Sequence, residues 1–124
     1  MREVERAEFE DLVRAALEEL PTEIRSHLEN VAVFIGEWPD QSEVLRAGLE
    51  PGRQMLGLYE GVPLTKRGLH YTLVTPDRIT LYRGPLLSIS GSLAELREQV
   101  ARTVVHEVAH HFGISEHRIR ELGY

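Results

Sequence analysis

"SLAELREQVARTVVHEVAHHFGISEH", residues 92 to 117, decides how the rest of the chain is read. Leu93, Leu96, Val100, Val104 and Val108 recur at spacings of three and four, which is the core stripe of an amphipathic helix. Ser92 stands just before the stripe, where a side-chain oxygen can accept from the helix's orphan amides. Gly113 stands just after it, where a residue able to adopt the left-handed conformation ends a helix. Ser115 can cap a last short helix, with Glu116 in its first turn, where negative charge is favoured. A long helix, a sharp turn and a short helix are therefore expected.

The end of this stretch carries the chemistry. It holds four of the six histidines. His106 and His110 are four residues apart, so on a helix they lie about 40° apart in azimuth and one turn apart in height, and two imidazoles so placed can converge on one cation. Glu107 stands where the H-E-x-x-H arrangement places a carboxylate that takes a proton from a zinc-activated water rather than binding the metal. Two ligands hold zinc poorly. Glu116, ten residues after His106, falls where H-E-x-x-H-x-x-G-x-x-H enzymes place a third ligand, and carboxylate oxygen is an acceptable donor. His117 competes for the same role. His111 lies about 140° from His106 on a helical wheel, so a capping or solvent-facing role is expected of it.

Working outward, residues 3 to about 20 read as an amphipathic helix with Phe9, Leu12, Val13, Ala16, Leu17 and Leu20 on one stripe. Thr22 is placed to cap a short second helix reaching about Leu28. "NVAVFIGEW" (30 to 38) is the best strand, stopped by Pro39. Residues 40 to 53 are polar, with a turn signal at Pro51-Gly52 and no firm element. "QMLGLYEGVPL" (54 to 64) reads as a strand broken by Gly57, Gly61 and Pro63, which suits an edge or a bulge. Two further apolar runs flank Thr75-Pro76-Asp77. The clearer one contains Ile79 and Leu81 and ends at Gly84-Pro85. The coarse order, α-α-β-β-(β)-β-α-α, is that of an α+β domain. His27 is expected on the surface. Tyr59, His70, Tyr71 and Tyr82 are expected to be core or surface residues of strands, although one of them could donate to an oxyanion.

Composition narrows the classes. The 124 residues carry a net charge of −6 and no cysteine, which excludes disulfides, thiolate zinc sites and thiol catalysis. Arginines are interleaved with glutamates instead of forming the basic face that nucleic acid requires. No apolar run is long enough to span a bilayer, and "MREVERAEFE" lacks the apolar region of a secretory signal. No nucleic acid, no membrane and a cytoplasmic location are expected. Thirteen Arg stand against one Lys, and seventeen Glu against three Asp, a bias that suits a thermophile or a GC-rich genome.

"HEVAHHFGISEHRIRELGY", preceded by "LGLYEGVPLTKRG" and "PDRITLYRGPL", resembles the mini-zincins, a family of small bacterial zinc metallopeptidases. The resemblance runs from about residue 21 onward. The length of the chain is that of a single domain over residues 1–124, and the resemblance implies a minimal zincin-like α+β fold: a small mixed sheet packed against N-terminal helices and a long active-site helix. It implies Zn²⁺ as cofactor, His106, His110 and Glu116 as its ligands, and Glu107 as catalytic base. A peptide or protein substrate would align along the edge strand around Leu58–Leu64. Metzincins generally have His or Asp where Glu116 stands, and no chain remains here for a Met-turn. Two other classes compete: a metal-binding regulatory or interaction module without turnover, and a zinc-dependent ribonuclease, against which the acidic charge and Glu107 both count.

Overall fold

A computed structural model describes residues 4–48, 55–61 and 76–124. Helix α1 (Arg6–Glu18) buries Phe9, Val13 and Ala16. Helix α2 (Thr22–Arg25) passes into a 3₁₀ turn at Ser26–Leu28. Strand β1 (Val31–Gly36) follows, then helix α3 (Gln41–Arg46), strand β2 (Gly57–Glu60) and strand β3 (Asp77–Tyr82). Helix α4 (Arg83–Ser88), the long helix α5 (Leu93–Phe112) and helix α6 (Glu116–Glu121) complete the chain. This is an α+β architecture with a mixed sheet.

The sheet order is β1-β3-β2. β3 is central: it runs parallel to β1, pairing Val31 with Asp77 and Gly36 with Tyr82. It runs antiparallel to β2, pairing Gly57 with Leu81 and Glu60 with Arg78. Among the described residues β2 is thus an edge strand.

One core joins α1, α2, β3 and α5, with Val4, Phe9, Ile24, Ile79, Leu81, Leu86, Leu96, Val100 and Val104 all fully buried. Along α5, Leu96, Val100, Val104 and Val108 are 0 % exposed. Each such side chain contributes about 1.5–3 kcal/mol of burial as an upper figure. This stripe anchors α5 and makes its other faces a rigid platform. Leu93, at the very start of the helix, is exposed and drops out of the stripe. Both ends of α5 close as the sequence requires. The Ser92 hydroxyl accepts from Glu95 N–H at 3.1 Å, and Gly113 takes φ 73°.

Some local readings are corrected. Thr22 does not cap α2: it is the first helical residue, and Pro21 occupies the cap position without a side-chain hydrogen bond. Residues 41–46 form a helix because Asp40 and Glu43 make a reciprocal capping box, Glu43 N–H donating to Asp40 at 2.8 Å and Asp40 N–H to Glu43 at 3.1 Å. Gly84-Pro85 ends β3 but opens α4, with Pro85 buried in its first turn, where the missing N–H costs nothing. The strand expected over 54–64 is confined to Gly57–Glu60 among the described residues. Its far end, the strand expected before Pro76, and His70 and Tyr71 lie outside them.

Candidate metal centre and active site

Two adjoining stripes of α5 carry the site. On the first, His106 and His110 stand one turn apart, their ring centroids 6.0 Å from each other. Gly113 turns the chain, and Ser115 caps α6 by accepting from Arg118 N–H at 3.1 Å. Glu116, in the first turn of α6, is thereby brought back beneath the histidines. One donor atom from each of His106, His110 and Glu116 lies within 4.8 Å of the other two. His110 Nε2 and Glu116 Oε1 are 3.4 Å apart, close to the roughly 3.4 Å that two ligands on tetrahedral zinc subtend at bond lengths near 2.0–2.1 Å. His117 is turned away. Its ring is 3.8 Å from Glu121, one turn further along α6, and its side chain is 78 % exposed. Beside His106, its Nε2 and the main-chain oxygen of Tyr124 lie 3.4 Å apart.

The second stripe faces β2. Thr103, Glu107 and His111 are four residues apart, a rise of about 6 Å per step. Gly57, Tyr59 and Gly61 are two residues apart, a rise of about 6.6 Å per step. The two spacings nearly match, so helix and strand meet residue for residue. A Cβ on Gly57 would sit 2.8 Å from Thr103 Cγ2, and one on Gly61 would sit 3.0 Å from His111 Cε1. The two glycines are therefore sites of close approach, not of a bulge. Between them Tyr59 N–H donates to Glu107 Oε1 at 2.9 Å. The Tyr59 ring stacks on His111 at 4.0 Å, and its hydroxyl donates to Asp77 at 2.7 Å.

His111 is partly open to solvent, its side chain 38% exposed, in line with a solvent-facing role, and it also packs flat on the Tyr59 ring. His27 is half-buried, stacked on Phe112 at 4.2 Å, and is not the free surface residue the sequence suggested. The Tyr59 hydroxyl is committed to Asp77. The Tyr82 hydroxyl is committed to Glu43, in a small cluster with Met55 and Leu58. Neither points a donor at the metal-competent cluster of α5 and α6.

Glu107 is half-buried, and burial pushes its carboxyl above the ordinary carboxylate range; the Tyr59 amide and the two histidines pull it partly back. It lines two cavities. One, of about 300 Å³, lies toward Gln99, Arg102 and Met55. The other, of about 440 Å³, lies toward Arg46, Leu58 and His110. A carboxylate with a raised pKa, beside three convergent metal-competent donors and open on two sides, can exchange protons with a molecule in the cleft.

The zincin-like metallopeptidase family model matches residues 28–124. The chain belongs to that family. The match takes in the whole of α5 and α6 and all three strands, so the zincin-like architecture and the site belong to the same segment. A search among curated proteins finds no match. A solved structure, a conserved hypothetical protein from Thermus thermophilus, is similar over 88% of this chain and 94% of its own, with 26% identity and a TM-score of 0.53. This zincin-like chain and that protein share their overall fold. No helix among the described residues is long and apolar enough to cross a membrane.

Proposed function

We propose that this protein is a zinc-dependent peptidase, with His106, His110 and Glu116 holding the metal and Glu107 as general base. The observation that carries this reading is the convergence of three donor atoms within 4.8 Å beside a half-buried carboxylate that faces the cleft. Zinc, when bound, would supply a water of pKa near 7 and polarise the scissile carbonyl. Glu107 takes the proton of the attacking water and returns it to the leaving amine. Its raised pKa favours the first half of that task, because a carboxyl lifted by burial takes up a proton more readily than an ordinary carboxylate.

The substrate in this reading is an extended peptide laid along the β2 segment, Leu58 to Leu64, of which residues 62–64 lie outside the described ones. The two cavities flanking Glu107 receive side chains on either side of the reacting bond. The decisive test is Glu107→Gln. Peptide cleavage should fall by about 10²–10⁴-fold, the usual contribution of a general base, while stoichiometric zinc remains bound. Undiminished cleavage by that variant overturns the mechanism.

A second reading is a metal-binding module without turnover. The Tyr124 main-chain oxygen favours it, because at 3.4 Å from His106 Nε2 it stands where it would take the place that water or substrate needs beside the metal. Zinc binding without cleavage of any member of a broad peptide library would select this reading.

A further inference from the structure

The contact between β2 and Glu107 has a role beyond holding a strand in place. In an antiparallel ladder, residues alternate between turning their main-chain groups toward the partner and away from it. Tyr82 N–H donates to Leu56 C=O at 3.0 Å, which fixes the phase: Leu56, Leu58 and Glu60 face β3, and Gly57 and Tyr59 face outward. The sheet therefore does not use the Tyr59 N–H, and Glu107 does.

We propose that the main-chain amide of Tyr59 is the positioning group for Glu107. It pins Oε1 and so leaves Oε2 as the oxygen that meets the proton of the attacking water. Three further contacts make the amide a fixed reference. Gly57 admits Thr103 at a distance no side chain would allow. The His111 ring, one turn along the helix from Glu107, lies flat on the Tyr59 ring. The Tyr59 hydroxyl is tied to Asp77 across the sheet. A carboxylate held at one oxygen loses rotation about its last bond, so the second oxygen keeps one direction.

This inference rests on the peptidase reading and constrains it. A substrate strand adding to β2 finds the Tyr59 N–H already engaged. It must bind through other outward main-chain groups of β2, such as the Gly57 carbonyl, which accepts an N–H from the peptide. The substrate is thereby set in register by its donors, and the base stays pinned while it binds.

The test replaces the Tyr59 amide with an ester, by incorporating the α-hydroxy acid analogue of tyrosine at position 59. Ring and hydroxyl are kept and only the N–H is removed. In the zinc-loaded protein kcat should fall on the order of ten- to a hundredfold, the scale of a misplaced reacting group, with KM and zinc affinity unchanged. Tyr59→Phe keeps the amide and the ring and should lose clearly less. A second readout is independent of turnover: the Tyr59 amide proton resonance should move upfield in Glu107→Ala and stay in Glu107→Gln, whose side-chain oxygen still accepts. Wild-type kcat in the ester variant, equal losses in the ester and Tyr59→Phe, or an amide resonance indifferent to Glu107→Ala would each overturn the proposal. Failure of the peptidase reading looks different: the wild-type protein cleaves nothing, while the Tyr59 amide still responds to Glu107→Ala.

Discussion

The two stripes of α5 are built by different means. The His106/His110 stripe ends in open cleft, and its third donor arrives on a separate helix, α6, swung back by Gly113. The donors themselves are open to solvent, the side chains of His110 and Glu116 being 62% and 58% exposed, while fully buried Ile119 anchors α6 beneath them. The Thr103/Glu107/His111 stripe is instead pressed against β2, with close contacts at each step. One stripe is a set of donors whose geometry a metal can tighten. The other is a set of contacts fixed by shape. In the proposed mechanism, binding and proton transfer are thus given to different sides of one helix turn, so a substitution can damage one while sparing the other.

The largest effect should come from the metal side. His110→Ala removes one donor of three and leaves a two-ligand site. Zinc affinity should drop by more than the roughly 10–100-fold typical of losing an outer-shell partner. Thermal stability of the zinc-free protein should barely move, because the side chain is mostly exposed. Calorimetric zinc titration with a melting curve checks both halves. A variant that keeps wild-type affinity would show that His110 is not a ligand and would undo the division between stripes.

The strand side predicts the reverse pattern. Gly57→Ala puts a Cβ 2.8 Å from Thr103 Cγ2 and 3.2 Å from Thr80 O, an overpacking whose usual cost is about 1–3 kcal/mol. The zinc-free protein should lose stability by that amount and zinc affinity should stay close to wild type. Cleavage should fall, since Tyr59 moves with the strand. Adding Thr103→Ser removes the clashing methyl and should restore part of the loss, a coupling that urea denaturation of the four proteins in the cycle measures directly. Strict additivity would mean that β2 and α5 do not meet where the distances place them.

How much of this could be read from residues alone follows the same division. The geometry of the His106/His110 stripe was legible, because helical spacing fixes the His106–His110 relation, and Ser92, Gly113 and Ser115 mark the helix ends without help from the rest of the fold. The choice between Glu116 and His117 was not legible. Adjacent residues on a short helix differ by about 100°, and which one turns inward depends on how Gly113 aims α6. On the strand stripe the signal was present but was measured from the wrong origin. His111 is far from His106 on a helical wheel, yet it is i+4 from Glu107, as Thr103 is i−4. The pattern Gly57-x-Tyr59-x-Gly61, one ring between two glycines on one face of a strand, is the complementary signal. Neither could be joined to the other from sequence, because a strand and a helix so far apart in the chain meet only through the sheet. The α3 helix is different again. Its Asp40-x-x-Glu43 capping box is entirely local and was available to be read.

The smallest effect sharpens the comparison from the metal side, where α6 is tethered by charge. Arg118, two residues after Glu116, grips Glu23 of α2: Nη2 lies 2.6 Å and Nε 3.1 Å from Oε1, and Nε lies 3.1 Å from Oε2. These hydrogen bonds hold the Glu23 carboxyl below its ordinary range. A carboxyl near pKa 4.3 in the unfolded chain and lower in the folded one binds fewer protons in the native state. Its stabilising contribution is therefore present above the unfolded value and is lost as pH falls through the folded value. Both partners are exposed, so the contribution is small and screened by salt. Urea denaturation of wild type and Glu23→Gln should differ slightly at pH 7 in low salt, and the difference should close as the pH is lowered through the carboxylate range. Glu37, also held low by Arg83 and Arg6, titrates in the same window but is common to both proteins and cancels. A difference that persists unchanged in acid would mean that the Arg118–Glu23 pair is not what separates the two proteins, since the packing of α6 through fully buried Ile119 is common to both.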